Sequence, residues 1–170
     1  QENEGYANLE ESDELRTRPL GHCVDRLGED QVVFSPADLE CLSPLVLAYI
    51  GDAVFELWVR LFLVESGYRQ MHNLHRQTVD WVNASSQARI LEVWAPVLSE
   101  TERDIVRRGR NTKSSVPRRA KVIDYRLSTG LEALVGYLYL AGEKKRLWEL
   151  LLLAMKTDAP HHHGQGLGGV

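Results

Sequence analysis

Two acidic residues stand where helices should be apolar: Asp52 in LAYIGDAVFE (residues 47–56) and Glu132 in STGLEALVGYLYL (residues 128–140). An unpaired carboxylate in such a setting costs on the order of several kcal/mol, so each needs a cation, a route to solvent or a chemical role. The plainest reading of Asp52 is an ion pair with an arginine such as Arg60 or Arg89. Glu56, one turn on and on the same face, reads as a partly exposed helix carboxylate. Two isolated acids in two apolar helices also suggest something else. If those helices pack side by side, the carboxylates converge on one hard cation. Mg²⁺ suits such a site, because it takes oxygen ligands and keeps several waters, so two protein carboxylates suffice.

A second chemical feature is a basic stretch. Residues 103–126 hold 9 basic and 2 acidic side chains, a net of +7, on a chain whose total charge is −4. Arg107, Arg108, Arg110, Lys113, Arg118, Arg119, Lys121 and Arg126 gather near one helix end and its loop. A charge run usually marks a solvated surface, but this density on an acidic protein favours contact with phosphate backbone. The stretch has no aromatic-studded strand on which single-stranded bases could stack, which favours duplex recognition through shape and phosphates. His72 and His75 are spaced i,i+3, with no Cys or carboxylate to complete a metal set, so they read as helix surface. His161–His163 lie in a Gly-rich tail and read as incidental. No Ser-His-Asp pattern, Gly-rich phosphate loop or CxxC pair is present. Cys23 and Cys41 stand outside any metal or redox spacing and suggest a reducing compartment.

The elements that must position these groups read as helices throughout. With 170 residues and 44% apolar content, the chain is long enough for one core-bearing domain. Residues 1–40 hold 11 acidic and 3 basic side chains, and residues 1–35 are expected to be a disordered acidic arm. No secretory signal or membrane span is expected. Ser35 with Pro36 signals a helix start, Pro44 separates a short lead-in from a main helix, and Gly67 stops it. The main helix is apolar almost all round, which predicts a place in the middle of a bundle. Residues 71–94 predict helix broken near Asn83–Ser85 and ended by Pro96. Ser99 and Glu102 form a capping box, and Gly109 is expected to weaken the helix that follows. Ser128 is expected to cap the Glu132 helix and Gly142 to close it. Trp58, Trp81, Trp94, Trp148, Tyr137 and Tyr139 read as core. The fold class is all-α: a bundle of about six helices over residues 36–156, with a disordered tail over 157–170.

LAYIGDAVFE, GRNTK and YRLSTGLEALVGYLYL, in that order, resemble the ribonuclease III family, and within it the small branch called mini-ribonuclease III. That branch, bacterial and plastid, lacks a separate double-stranded-RNA-binding domain. The resemblance covers roughly Leu39 to Met155, and it is the three motifs together that are specific. It implies an all-α ribonuclease III-like endonuclease fold and a homodimer. The implied activity is Mg²⁺-dependent cleavage of double-stranded RNA, with Mn²⁺ able to substitute, leaving 5′-phosphate and 3′-hydroxyl ends. The implied role is maturation of the large-subunit ribosomal RNA precursor, with a ribosomal protein as a helper. The implied location is the bacterial cytoplasm, or the plastid stroma in a plant. By position, Asp52 matches the catalytic aspartate of the GD signature and Glu132 the metal-binding glutamate that opens EAL. Asn111 of GRNTK joins the basic residues in the expected RNA-binding set. Larger relatives carry two more carboxylates, where this chain has Ala48 and Thr129. One well-held Mg²⁺ per protomer is therefore expected, with RNA phosphates supplying further ligands. The alternative is a non-catalytic helical RNA-binding or ribosome-associated module, for which Asp52 and Glu132 would be costly ornaments.

Overall fold

The computed structural model describes residues 34–112 and 121–156. The acidic arm before Phe34, the tail after Lys156 and the basic residues Lys113, Arg118 and Arg119 lie outside the described residues. Within them run seven α-helices and one 3₁₀ turn, against the six or so expected, and no strand. They are α1 (Pro36–Cys41), α2 (Pro44–Glu65), α3 (Met71–Val82) and α4 (Ala84–Trp94). The 3₁₀ turn (Ala95–Val97) leads to α5 (Glu100–Asn111), α6 (Val122–Leu140) and α7 (Lys144–Lys156). None of the helices is long and apolar enough to cross a membrane.

Local chemistry sets most of these boundaries. Ser35 accepts from the Asp38 amide at 3.2 Å while Asp38 accepts from the Ser35 amide, a reciprocal box that starts α1. Ser43 caps α2, with Pro44 in its first turn. Gly67 (φ 94°) and Gly142 (φ 75°) take the left-handed turns after α2 and α6. Asn83 ends α3 and caps α4 by accepting from the Ser86 amide at 3.0 Å. Ser99 and Glu102 cap α5 reciprocally.

Four expectations are corrected. α6 begins at Val122, so Ser128 lies inside the helix rather than at its cap. Ser128 and Thr129 are buried there with their hydroxyls bonded back to the Tyr125 carbonyl, so the helix itself satisfies them. Gly109 does not weaken α5, which continues to Asn111; it is buried against α6. Trp148 is 53% exposed on α7 rather than in the core. Finally, α2 is not surrounded. Leu45, Tyr49, Leu57 and Leu61, spaced four or eight residues apart, form an exposed apolar stripe, with Tyr49 80% accessible. One face of α2 is apolar because it packs on the bundle; the other is apolar and none of the described residues covers it.

The core is built around α6, which packs against α2, α4, α5 and α7. Leu131, Ala133, Leu134 and Val135 are fully buried on it. A second cluster ties α2 to α3: Trp58 stacks on Phe62 with ring centroids 6.0 Å apart, and Trp81 meets both rings edge-on. Glu102, already a cap, also accepts from Arg146 of α7 at 2.8 and 3.0 Å, and Arg146 donates to the Val97 carbonyl. That pairing holds the Glu102 carboxyl below its usual pKa.

The closest contact in the bundle is between backbones. A Cβ on Gly51 of α2 would lie 1.7 Å from the Glu132 carbonyl oxygen, and one on Gly136 of α6 would lie 2.0 Å from the Leu47 carbonyl oxygen. Backbone atoms of packed helices cannot yield by that much, so any side chain here must push the two helices apart. Gly136→Ala is therefore expected to cost about 3 kcal/mol, at the upper end of overpacking, read as a lowered midpoint of urea or thermal unfolding. An unchanged midpoint would mean that the helices part freely.

Candidate functional site

The α2–α6 crossing decides where the two acids go. Asp52 follows Gly51 directly, and Glu132 supplies the carbonyl that Gly51 touches. The crossing thus brings together two side chains 80 positions apart in sequence. Asp52 is the more exposed of the two and Glu132 is half-buried. Burial raises the pKa of both carboxyls above their ordinary values. Asp52 is raised further by the negative charge of Glu56, and Glu132 by that of Asp52, until Glu132 reaches about 8. Two acids that resist ionising beside each other form a place where positive charge is missing.

Among the described residues, no arginine or lysine offsets that charge. Arg60 bonds Glu56 through Nε at 3.0 Å and also through Nη2. Arg89 donates to Ser86 Oγ at 2.9 Å. Both arginines offered by sequence as partners of Asp52 are engaged elsewhere. The positions that hold extra acids in larger relatives are buried and lack a carboxylate here: Ala48 is 5% exposed, and Thr129 is 6% exposed with its hydroxyl bonded within the helix. Among the described residues no three His, Cys, Asp or Glu side chains gather as a ready metal cage. What remains is a two-carboxylate site of oxygen donors, open to solvent on the Asp52 side. Its chemistry fits a hard divalent cation that keeps several of its own waters.

One participant escaped the sequence reading. Gln87 of α4 is 1% exposed, and its side-chain Nε2 has no hydrogen-bond partner. Its amide nonetheless bears on the Glu132 carboxyl, with an effect that lowers the carboxyl pKa against the two larger raising ones. The only sequence signal for it is a polar residue on the buried side of NASSQARILEVW, where an apolar one would pack.

The basic residues occupy a different region, the end of α5 and the start of α6. Arg107, Arg108, Arg110, Asn111, Lys121 and Arg126 are all exposed. Arg107 pairs with Asp104. Arg103, Arg107 and Arg110, with Glu92, edge a groove of about 440 Å³ floored by Leu91, Leu98, Val106 and Leu127. The start of α6 is tied to α4 by Ser85, which donates to Asp124 at 2.6 Å. His72 and His75 are both exposed on α3.

Comparison with known proteins identifies the family. Residues 45–143 match the ribonuclease III domain. A mini-ribonuclease 3 from Symbiobacterium thermophilum is 52% identical over 114 residues, covering 66% of this chain and 88% of that one. One from Synechocystis is 46% identical over 132 residues, covering 76% and 91%. The crystal structure of a Fusobacterium nucleatum protein superposes with a TM-score of 0.63 at 31% identity, over 67% of this chain and 93% of that one. The chain belongs to the ribonuclease III family of endoribonucleases. Within it, the chain is a member of the mini-ribonuclease III branch, and the non-catalytic alternative is set aside.

The raised Glu132 pKa has a consequence for the metal-free protein. Its folded-state value, about 8, lies above the ordinary 4.5, so the folded form holds the proton more tightly than the unfolded chain. The stabilisation this gives is complete below pH 4.5 and is lost as pH rises through about 8, at up to about 1.4 kcal/mol per pH unit. Glu132→Gln should therefore raise the unfolding temperature at pH 8 without metal and flatten the profile over that window. A lower unfolding temperature for the variant would contradict this.

Proposed function

We propose that this chain cuts double-stranded RNA as a Mg²⁺-dependent homodimer, acting on the large-subunit ribosomal RNA precursor. The observation that carries the reading is the meeting of Asp52 and Glu132 at the α2–α6 crossing, where both carboxyls are raised and no arginine or lysine of the described residues offsets them. In this reading both are metal ligands and catalytic residues. Asp52 and Glu132 would hold Mg²⁺, or Mn²⁺ in its place, which would supply Lewis-acid activation of water and charge neutralisation at the scissile phosphate. Asp52, being the exposed partner, is the one that RNA phosphates approach. Water adds at phosphorus, the 3′-oxygen departs with a proton, and the ends are a 5′-phosphate and a 3′-hydroxyl, as in the family.

The exposed side chains of Arg107, Arg108, Arg110, Asn111, Lys121 and Arg126, with Lys113, Arg118 and Arg119 of the connecting loop, grip the duplex through its phosphates. The apolar stripe on α2 supports the dimer. Leu45, Tyr49, Leu57 and Leu61 would bury against the same residues of a second copy, a self-complementary patch related by a two-fold axis. At 100° per residue, Asp52 and Glu56 run along the edge of this stripe. Each site then lies beside the dimer interface, and two sites related by the axis address the two strands of one duplex. A ribosomal protein on the precursor is the expected helper. The bacterial cytoplasm or the plastid stroma is the expected setting.

Asp52→Asn should lower Mg²⁺-dependent duplex cleavage by at least about a hundredfold, the equivalent of roughly 3 kcal/mol of transition-state stabilisation, while leaving duplex affinity near wild type. Cleavage at the wild-type rate would remove Asp52 from the chemistry. Neutralising Arg108 and Arg110 together should weaken duplex binding and reduce the slope of log affinity against log salt by about 2. An unchanged slope would show that these arginines do not meet phosphates.

A further inference from the structure

Gln87 poses a question that the carboxylate pair alone does not answer. A fully buried amide donor without an acceptor is costly, and native structures hold few of them. It is also not a loosely held side chain that has failed to find a partner. The first turn of α4, which carries it, is tied down from several directions: Asn83 caps it, Ser85 donates to Asp124 of α6, and Ser86 Oγ donates to the Asp80 carbonyl at 2.7 Å. The backbone is therefore fixed, and across the α4–α6 contact the Gln87 side chain lies close enough to the Glu132 carboxyl to lower its pKa.

We propose that Gln87 is a positioning residue of the metal site. When a cation is bound, its side-chain NH₂ donates to one Glu132 oxygen and holds the other toward Asp52 and the ion. This rests on the reading of Asp52 and Glu132 as metal ligands. A site with only two carboxylates needs such a group more than a crowded one, because fewer ligands share the work of orienting a long glutamate. Carboxylates that bind metals are generally held by an outer hydrogen bond, and its loss typically lowers metal affinity by about 10–100-fold. Gln87 already acts on Glu132 in the metal-free chain, and metal binding would draw that contact into a full hydrogen bond that satisfies Nε2. In that sense stability is given up for a ready-made ligand geometry.

The test uses the full chain and Mn²⁺ as the probe, with free and bound ion counted by electron paramagnetic resonance in the absence of RNA. Three proteins are compared: wild type, Gln87→Met, which conserves volume and removes the donor, and Asp52→Asn. Unfolding temperature is measured on each without metal, and duplex cleavage across a Mg²⁺ series. The proposal expects Gln87→Met to unfold at or above the wild-type temperature and to bind Mn²⁺ at least about tenfold more weakly. Its cleavage rate should recover toward wild type at high Mg²⁺, with KM for duplex unchanged. A Gln87→Met protein that loses thermal stability yet binds Mn²⁺ within twofold of wild type would overturn the proposal and make Gln87 a packing residue. If Gln87→Met binds normally and Asp52→Asn does not, the metal-site reading survives and only the role of Gln87 falls. If Asp52→Asn also binds Mn²⁺ as wild type does, both readings fail together.

Discussion

The contact on which the rest depends is the crossing of α2 and α6 at Gly51 and Gly136. There two helices approach so closely that a single Cβ on either would sit within 2.0 Å of the other's backbone. In most bundles side chains separate the helix axes by 8–10 Å. Where glycines remove those side chains, the residues next to the contact meet at short range. Asp52 and Glu132 are those neighbours. Their burial and mutual repulsion follow from the crossing, and so does a demand for positive charge that no arginine meets.

The same crossing makes α6 a hub. Gly109 and Gly130 bring α5 against its other side, with a Cβ on Gly130 placed 2.9 Å from the Val106 carbonyl oxygen. α5 in turn carries the arginines whose exposed guanidinium groups line one end of the molecule. Glu102 and Arg146 lock α5 to α7 and to the turn before α5, so the basic end is set by the same frame that sets the acids. The uncovered stripe of α2 completes the logic. One helix packs on the core, carries Asp52 and keeps an exposed apolar stripe on its other face.

Much of this is legible in the sequence, and the parts that are not have physical reasons. Helix starts at Ser35, Ser43, Asn83 and Ser99 are local events, fixed by hydroxyl or amide groups within three residues of the amides they cap. Asp52 and Glu132 stand out because an acid in an apolar run is conspicuous. Ser128 misleads because a serine before an apolar run looks like a cap, whereas here its hydroxyl returns to Tyr125. Gly109 misleads because glycine weakens an isolated helix, whereas here it admits α6. The all-round apolar pattern of α2 predicts burial, whereas the described residues cover only one side of it. Gln87 is invisible to pattern reading because its meaning lies in facing Glu132, 45 positions away.

The central claim is that Asp52 and Glu132 form a single cation site at the glycine crossing. Anomalous diffraction from crystals grown with Mn²⁺ tests it most directly. The account predicts one strong peak per protomer, bonded to an Asp52 carboxylate oxygen and a Glu132 carboxylate oxygen, with the remaining positions filled by water. Peaks located elsewhere, with the Asp52 and Glu132 oxygens bonded only to protein or solvent, would contradict it.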